Sequence, residues 1–166
     1  HLAGIVHNAG TIGPIEHMLD VERSNWARTI QVNLIGVQDL TNRLSPMIGG
    51  KNHTRIITVS SGAAKRPIPH WSAYCVAKAG LDMWALCMAE EGESNNISAI
   101  SIAPGIVDTQ MQVKIRNADN FPLVDNFRGY HADGELSTPE VVAKQFLPFC
   151  IGDSGENGQR LDVRDL

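Results

Sequence analysis

The sequence predicts an α/β protein with a doubly wound parallel sheet. Short strand-like runs alternate with longer segments of helical periodicity, in the order strand-helix-strand-helix-strand-loop-helix-strand. The strands are almost continuously apolar, as expected when both faces of a sheet are covered. Glycine and polar residues gather just beyond the strand ends, where open α/β sheets bind their ligands.

Residues 2 to 6, Leu-Ala-Gly-Ile-Val, form the first apolar run, and His7-Asn8-Ala9-Gly10 ends it in a turn. From residue 20 to 48, Trp26, Ile30, Leu34, Val37, Leu40 and Leu44 recur at helical spacing and predict a helix with an apolar stripe, closed by Pro46 and Gly49-Gly50. Arg55 to Val59 is β-branched and predicts the second strand, running into Ser60-Ser61-Gly62. Residues 71 to 91 predict a second long helix with Leu81, Trp84, Ala85 and Met88 on one side. Ile97 to Ile102 is the third strand, stopped by Pro104-Gly105. Residues 111 to 136 have mixed character and predict a long loop with room for one short helix. Thr138-Pro139 starts a helix that ends near Cys150, with Thr138 as cap and proline at the first helical position. A turn of Gly152, Gly155 and Gly158 leads to a last strand around Arg160 to Val163.

The 166 residues suit one domain, 1–166, with a sizeable core. With a net charge of −4 and a pI near 5.8, no basic footprint marks a nucleic-acid or anionic-membrane partner. No apolar run approaches the roughly 18 residues of a spanning helix. Cys75, Cys87 and Cys150 lack metal-like spacing and read as buried free thiols in a reducing, cytoplasmic setting. The six histidines form no HExxH-like group, so no metal site is expected. The chain opens on His1, without an initiator methionine, and reads as a piece of a longer protein.

Tyr74 and Lys78 stand four residues apart and share one helix face. They are either the polar edge of an amphipathic helix or a phenol acidified by its neighbour so that it can move a proton. A free tyrosine, with a pKa of about 10, is a poor acid-base group at neutral pH. A nearby ammonium favours the phenolate, so Lys78 is expected to lower the pKa of Tyr74. Asn8-Ala9-Gly10, Ser60-Ser61 and Pro104-Gly105 through Thr109 fall at strand ends on the same edge, so four stretches converge on one crevice. Each has a plainer reading. Asn33 sits mid-helix, where an asparagine often points to solvent. Gly10 ends a strand or lets the backbone approach a ligand closely. Trp26 and Trp84 read as core or helix-interface residues, whereas Trp71 is placed to line the crevice.

Asn8-Ala9-Gly10, Asn33, Ser61, Tyr74-x-x-x-Lys78 and Pro104-Gly105-Ile106-Val107-Asp108-Thr109, in this order, resemble the short-chain dehydrogenase/reductase family. Ser61 lies 13 residues before Tyr74, and Asn33 lies 28 before Ser61, both similar to the family's separations. The resemblance implies the carboxyl-terminal portion of a Rossmann-type domain, with the glycine-rich turn lying ahead of His1. His7 departs from the family, which commonly has another asparagine there. Within the family the chain is most similar to the sepiapterin reductase and benzil (carbonyl) reductase group. That likeness rests on Ser60-Ser61, Pro67, Trp71, Tyr74-Cys75, Lys78-Ala79 and Asp82, on Ala103 to Gln112, and on Ser154 to Asp162.

The resemblance implies roles. Tyr74 donates a proton to a substrate carbonyl while a nicotinamide delivers hydride, and Ser61 holds the oxygen. Lys78 also binds the nicotinamide ribose, and Asn33 holds a water linking Lys78 to solvent. Asn8, Ala9, Gly10, Pro104, Gly105, Val107 and Thr109 contact the cofactor, NADP(H) favoured with NAD(H) not excluded. Trp71 and Asp162 contact a ketone, dicarbonyl or pterin substrate; Asp162 alternatively reads as a solvated carboxylate. The two long helices imply a homo-oligomer, dimer or tetramer, and residues 111 to 136 a substrate-selecting lid. A chain without the upstream strands is expected to bind cofactor poorly. An alcohol or sugar dehydrogenase of the same family and a non-catalytic binding protein are the alternatives.

Overall fold

A computed structural model of the chain describes residues 1–151 and 154–166. Gly152, counted above in the glycine turn, lies outside the described residues. Strands β1 (Gly4–His7), β2 (Thr54–Val59), β3 (Ile97–Ala103) and β4 (Arg160–Asp162) form one parallel sheet in the order β1-β2-β3-β4. The two central strands are buried almost throughout, which is why their sequences do not alternate.

Helices cover both faces. Ile57, Ile100 and Ile102 pack on Val142, Phe146 and Phe149 of α6 (Pro139–Ile151). Ile56 and Ala99, one residue out of phase, face Ala89 of α3 (Ser72–Gly92). The strands advance in one direction across the sheet while α3 and α6 lie on opposite faces, so these two crossovers have opposite hands. One of them departs from the usual right-handed connection.

The helix between β1 and β2 is α1 (Arg23–Ile30), a widened π turn (Gln31–Ile35) and α2 (Gly36–Leu44). Its buried column is Thr29, Asn33, Val37 and Thr41, spaced by fours. The expected stripe is therefore corrected: Leu40 is exposed, as are Val32 and Ile35. The π turn moves the buried face onto small and polar residues, which hydrophobic periodicity cannot register. Thr29 and Thr41 turn their hydroxyls onto the carbonyls of Asn25 and Val37, which makes their burial tolerable.

Two further expectations change. Residues 111 to 136 hold two helices, α4 (Gln110–Arg116) and α5 (Val124–Ala132), because Ile115 and Phe121 give them a core of their own against Trp71. The cysteines are free, but none is fully buried. Cys87 is exposed and Cys75 and Cys150 are half-buried. The buried column of α3 is Ala73, Ala77, Leu81, Ala85 and Ala89, and Cys87 lies off it.

Candidate active site

The carboxyl ends of the strands open onto a cavity of about 1110 Å3. Asn8, Gly10, Ser61, Trp71, Tyr74, Lys78, Pro104, Gly105, Val107 and Thr109 line it, so most of the residues singled out in the sequence meet here. Ala9, Asn33 and Asp162 are not on its wall.

Asn33 is fully buried. The π turn aims it at the loop after β1, where its Oδ1 accepts from the Thr11 N–H at 2.8 Å and its Nδ2 donates to the Thr11 carbonyl at 2.8 Å. The side chain thus pairs with the backbone as a strand would. A Cβ on Gly10 would sit 3.0 Å from Asn33 Oδ1, a tight contact that Asn33 would have to relieve, and 3.7 Å from Lys78 Nζ, an ordinary one. In this structure Asn33 props the turn that carries Asn8 and Gly10. His7 fits its unusual position because its Nε2 meets the Thr41 hydroxyl at 2.9 Å. That hydroxyl already donates to Val37 at 2.8 Å, so His7 Nε2 is the donor, and burial keeps its pKa low.

Tyr74 and Lys78 are buried along the first half of α3. Lys78 Nζ donates to the Val59 carbonyl at 2.7 Å, fixing the helix to the end of β2, and lies 5.7 Å from the centre of the Tyr74 ring. The Ser61 hydroxyl lies beside the Tyr74 phenol and acts to lower its pKa. The same hydroxyl also caps the turn Gly62–Ala64, accepting from the Ala63 N–H at 3.2 Å.

The electrostatics differ from the expectation of an acidified phenol. Burial raises the pKa of Tyr74, against a smaller lowering effect from Ser61. Burial also brings Lys78 down to about 8, with the Asp82 carboxylate pulling the other way. Desolvation is the largest cause of both shifts.

Asp162 is committed elsewhere. Arg164 Nε and Nη2 donate to its two oxygens at 2.8 and 2.6 Å, and the Arg164 N–H at 3.1 Å completes the cap. These bonds hold its carboxyl below the usual range. Arg164, not Asp162, lines the cavity.

Phe121, Phe127 and Tyr130, none of them singled out in the sequence, build an aromatic wall with Trp71. Trp71 stacks on Phe121 with centroids 5.2 Å apart and lies 5.4 Å from Phe127, which meets Tyr130 at 5.7 Å. Phe127 and Tyr130 face the cavity from α5. Their spacing of three residues on one helix face was a usable signal, obscured because the segment read as loop. Trp71 Nε1 and Gln112 Oε1 are buried in this wall without a hydrogen-bond partner. Among the described residues no cluster of metal-ligating side chains occurs, and no helix is long and apolar enough to cross a membrane.

A buried tyrosine and lysine and a half-buried serine are thus grouped on one cavity at the carboxyl edge of a parallel α/β sheet. A family model for short chain dehydrogenase matches residues 1–120. The chain belongs to the short-chain dehydrogenase family. It is 34% identical over 145 residues to a benzil reductase ((S)-benzoin forming) of Bacillus cereus, covering 84% of this chain and 58% of that protein. It is 28% identical to the sepiapterin reductase of Meriones unguiculatus, covering 97% of this chain and 63% of that one. The crystal structure of the KRED1-Pglu enzyme superposes with a TM-score of 0.88 at 34% identity, covering 95% of this chain and 67% of that chain. The chain thus spans about three fifths of the length of the two curated relatives.

Proposed function

We propose that the whole protein reduces a ketone or dicarbonyl, with Tyr74 as the proton donor. The observation that carries this reading is the meeting of Ser61, Tyr74 and Lys78 on one cavity. A raised tyrosine pKa suits the reductive direction: the phenol stays protonated at neutral pH and has a proton to give. The Ser61 hydroxyl sits beside the phenol and is placed to donate to the same carbonyl oxygen, stabilising the charge that develops there. As the proton leaves Tyr74, the Lys78 ammonium offsets the growing phenolate charge.

The residues present fit a nicotinamide cofactor. A lysine ammonium has three donors, and Lys78 spends one on Val59, leaving two for sugar hydroxyls. Asn8, Gly10, Pro104, Gly105, Val107 and Thr109 supply the rest of the cradle, with Ala9 between two of them. When bound, the nicotinamide supplies the hydride. The likeness to sepiapterin reductase favours NADP(H) over NAD(H).

The wall of Trp71, Phe127 and Tyr130 supports a substrate with a flat aromatic group, as in benzil or a pterin. Val32, Ile35 and Leu40 on α1–α2 and Val76, Met83 and Leu86 on α3 are exposed, which supports a homo-oligomer. The test is cofactor oxidation by the whole protein against a panel of aryl diketones, pterin ketones, secondary alcohols and sugars. The expected result is turnover of aryl diketones with NADPH faster than with NADH. Turnover of alcohols or sugars alone would make the protein a dehydrogenase of the same family. No cofactor-coupled turnover of any compound would make it a binding protein.

A further inference from the structure

We propose that Asp82 and Arg160 are positioning residues for the carbonyl-reducing centre, a single ion pair that holds the Ser61 loop in register with the Lys78 face of α3. The inference rests on the reading of Ser61, Tyr74 and Lys78 given above. Neither residue reaches the cavity wall, so both act through others.

Arg160 Nε donates to Asp82 Oδ2 at 2.7 Å, and Arg160 Nη2 donates to the Ser61 carbonyl at 3.0 Å. One guanidinium therefore spans the helix that carries Tyr74 and Lys78 and the turn that carries Ser61. The planar fork of arginine makes this possible, whereas a lysine could not serve both acceptors with fixed geometry. Ser101 Oγ donates to Asp82 Oδ1 at 2.5 Å, and Ser101 is the partner of Arg160 in the β3–β4 ladder. Four elements that meet at the centre are thus tied through one ion pair: β3, β4, α3 and the loop after β2.

The pair is largely out of solvent, with side-chain exposures of 18% for Arg160 and 16% for Asp82. It is therefore not a loosely held surface bridge. Asp82 follows Lys78 by four residues on the same helix face. Its charge supports the Lys78 ammonium against burial. The other groups placed against Lys78 are Tyr74 on its own helix, the Val59 carbonyl of β2, and Gly10 from the loop after β1, all uncharged at neutral pH.

The experiment compares Asp82→Asn, Asp82→Glu, Arg160→Lys and Lys78→Met in the whole protein. Two quantities are read: the Lys78 titration by NMR of 13C-labelled lysine, assigned by its loss in Lys78→Met, and the pH profile of kcat for carbonyl reduction. Asp82→Asn is expected to lower the Lys78 midpoint, to move the alkaline limb of kcat to lower pH, and to reduce kcat roughly tenfold through misplacement of Ser61 and Lys78. Asp82→Glu is expected to restore the midpoint in part. Arg160→Lys keeps the charge but cannot span both acceptors, so kcat falls with the midpoint unchanged. This variant carries the test if Asp82→Asn does not fold. Wild-type kcat in folded Asp82→Asn or Arg160→Lys, or an unmoved Lys78 midpoint in Asp82→Asn, would overturn the proposal. Undiminished turnover in Lys78→Met would overturn the catalytic reading beneath it instead.

Discussion

The same central strands end in opposite ways. At the amino edge of the sheet the backbone closes on itself. Thr54 is fully buried, donates its hydroxyl to the Leu2 carbonyl at 2.7 Å and accepts from the Gly49 N–H at 2.9 Å. Gly49 has φ +70°, and a Cβ there would lie 2.4 Å from the Asn95 carbonyl. At the carboxyl edge the strands stop short around a cavity, and buried Tyr74 and Lys78 keep donors in reserve. The Trp71 indole N–H has no partner at all. The bonds at Thr54 tie one edge of the sheet together, and donors kept in reserve mark the other.

The comparison breaks most readily at Gly49. Gly49→Ala forces a left-handed backbone on a residue with a side chain and drives that side chain into a carbonyl that cannot yield. A loss of about 3 kcal/mol in urea unfolding is expected from strain plus overpacking. Turnover per folded molecule should stay at the wild-type value, because Gly49 is far from the cavity in the fold. A stability unchanged by this substitution would mean that the amino edge is not the rigid one.

A smaller effect sharpens the other edge. The folded pKa of Lys78 is about 8, below that of a free lysine. Between about pH 8 and the ordinary lysine value the unfolded chain binds the proton more tightly, so the Lys78 contribution to stability rises with pH across that window. Its slope cannot exceed one proton, about 1.4 kcal/mol per pH unit. Cys75 and Tyr74, whose pKa values are raised, act in the opposite sense above about 9 and 10. The Lys78 contribution is therefore isolated as the difference between wild type and Lys78→Met in urea unfolding at stepped pH. A difference that falls as pH rises would show that Lys78 is not buried as a destabilised ammonium.

What the sequence revealed and what it hid divide along physical lines. Tyr74 and Lys78 were legible because one helix fixes their spacing, and Ser61 because it ends a strand. The alternation of apolar runs was enough for the parallel sheet. Of the column Thr29, Asn33, Val37 and Thr41 only Val37 was legible, since a π turn and side-chain hydrogen bonds bury residues that periodicity assigns to solvent. The Arg160–Asp82 pair joins residues 78 apart in sequence and leaves no local pattern. Asp162 was legible as a residue, but its direction was set by Arg164, two positions on. The helices of 111 to 136 form because their apolar residues meet Trp71, a contact visible only in three dimensions.

Proton donation by the Tyr74 phenol is the proposal on which the reductive reading rests. It is tested most directly by Tyr74→Phe in the whole protein, with cofactor oxidation on an aryl diketone measured beside the unfolding midpoint. Turnover is expected to fall by about a thousandfold while the fold and its stability persist. A folded Tyr74→Phe protein that keeps wild-type turnover would contradict the proposal.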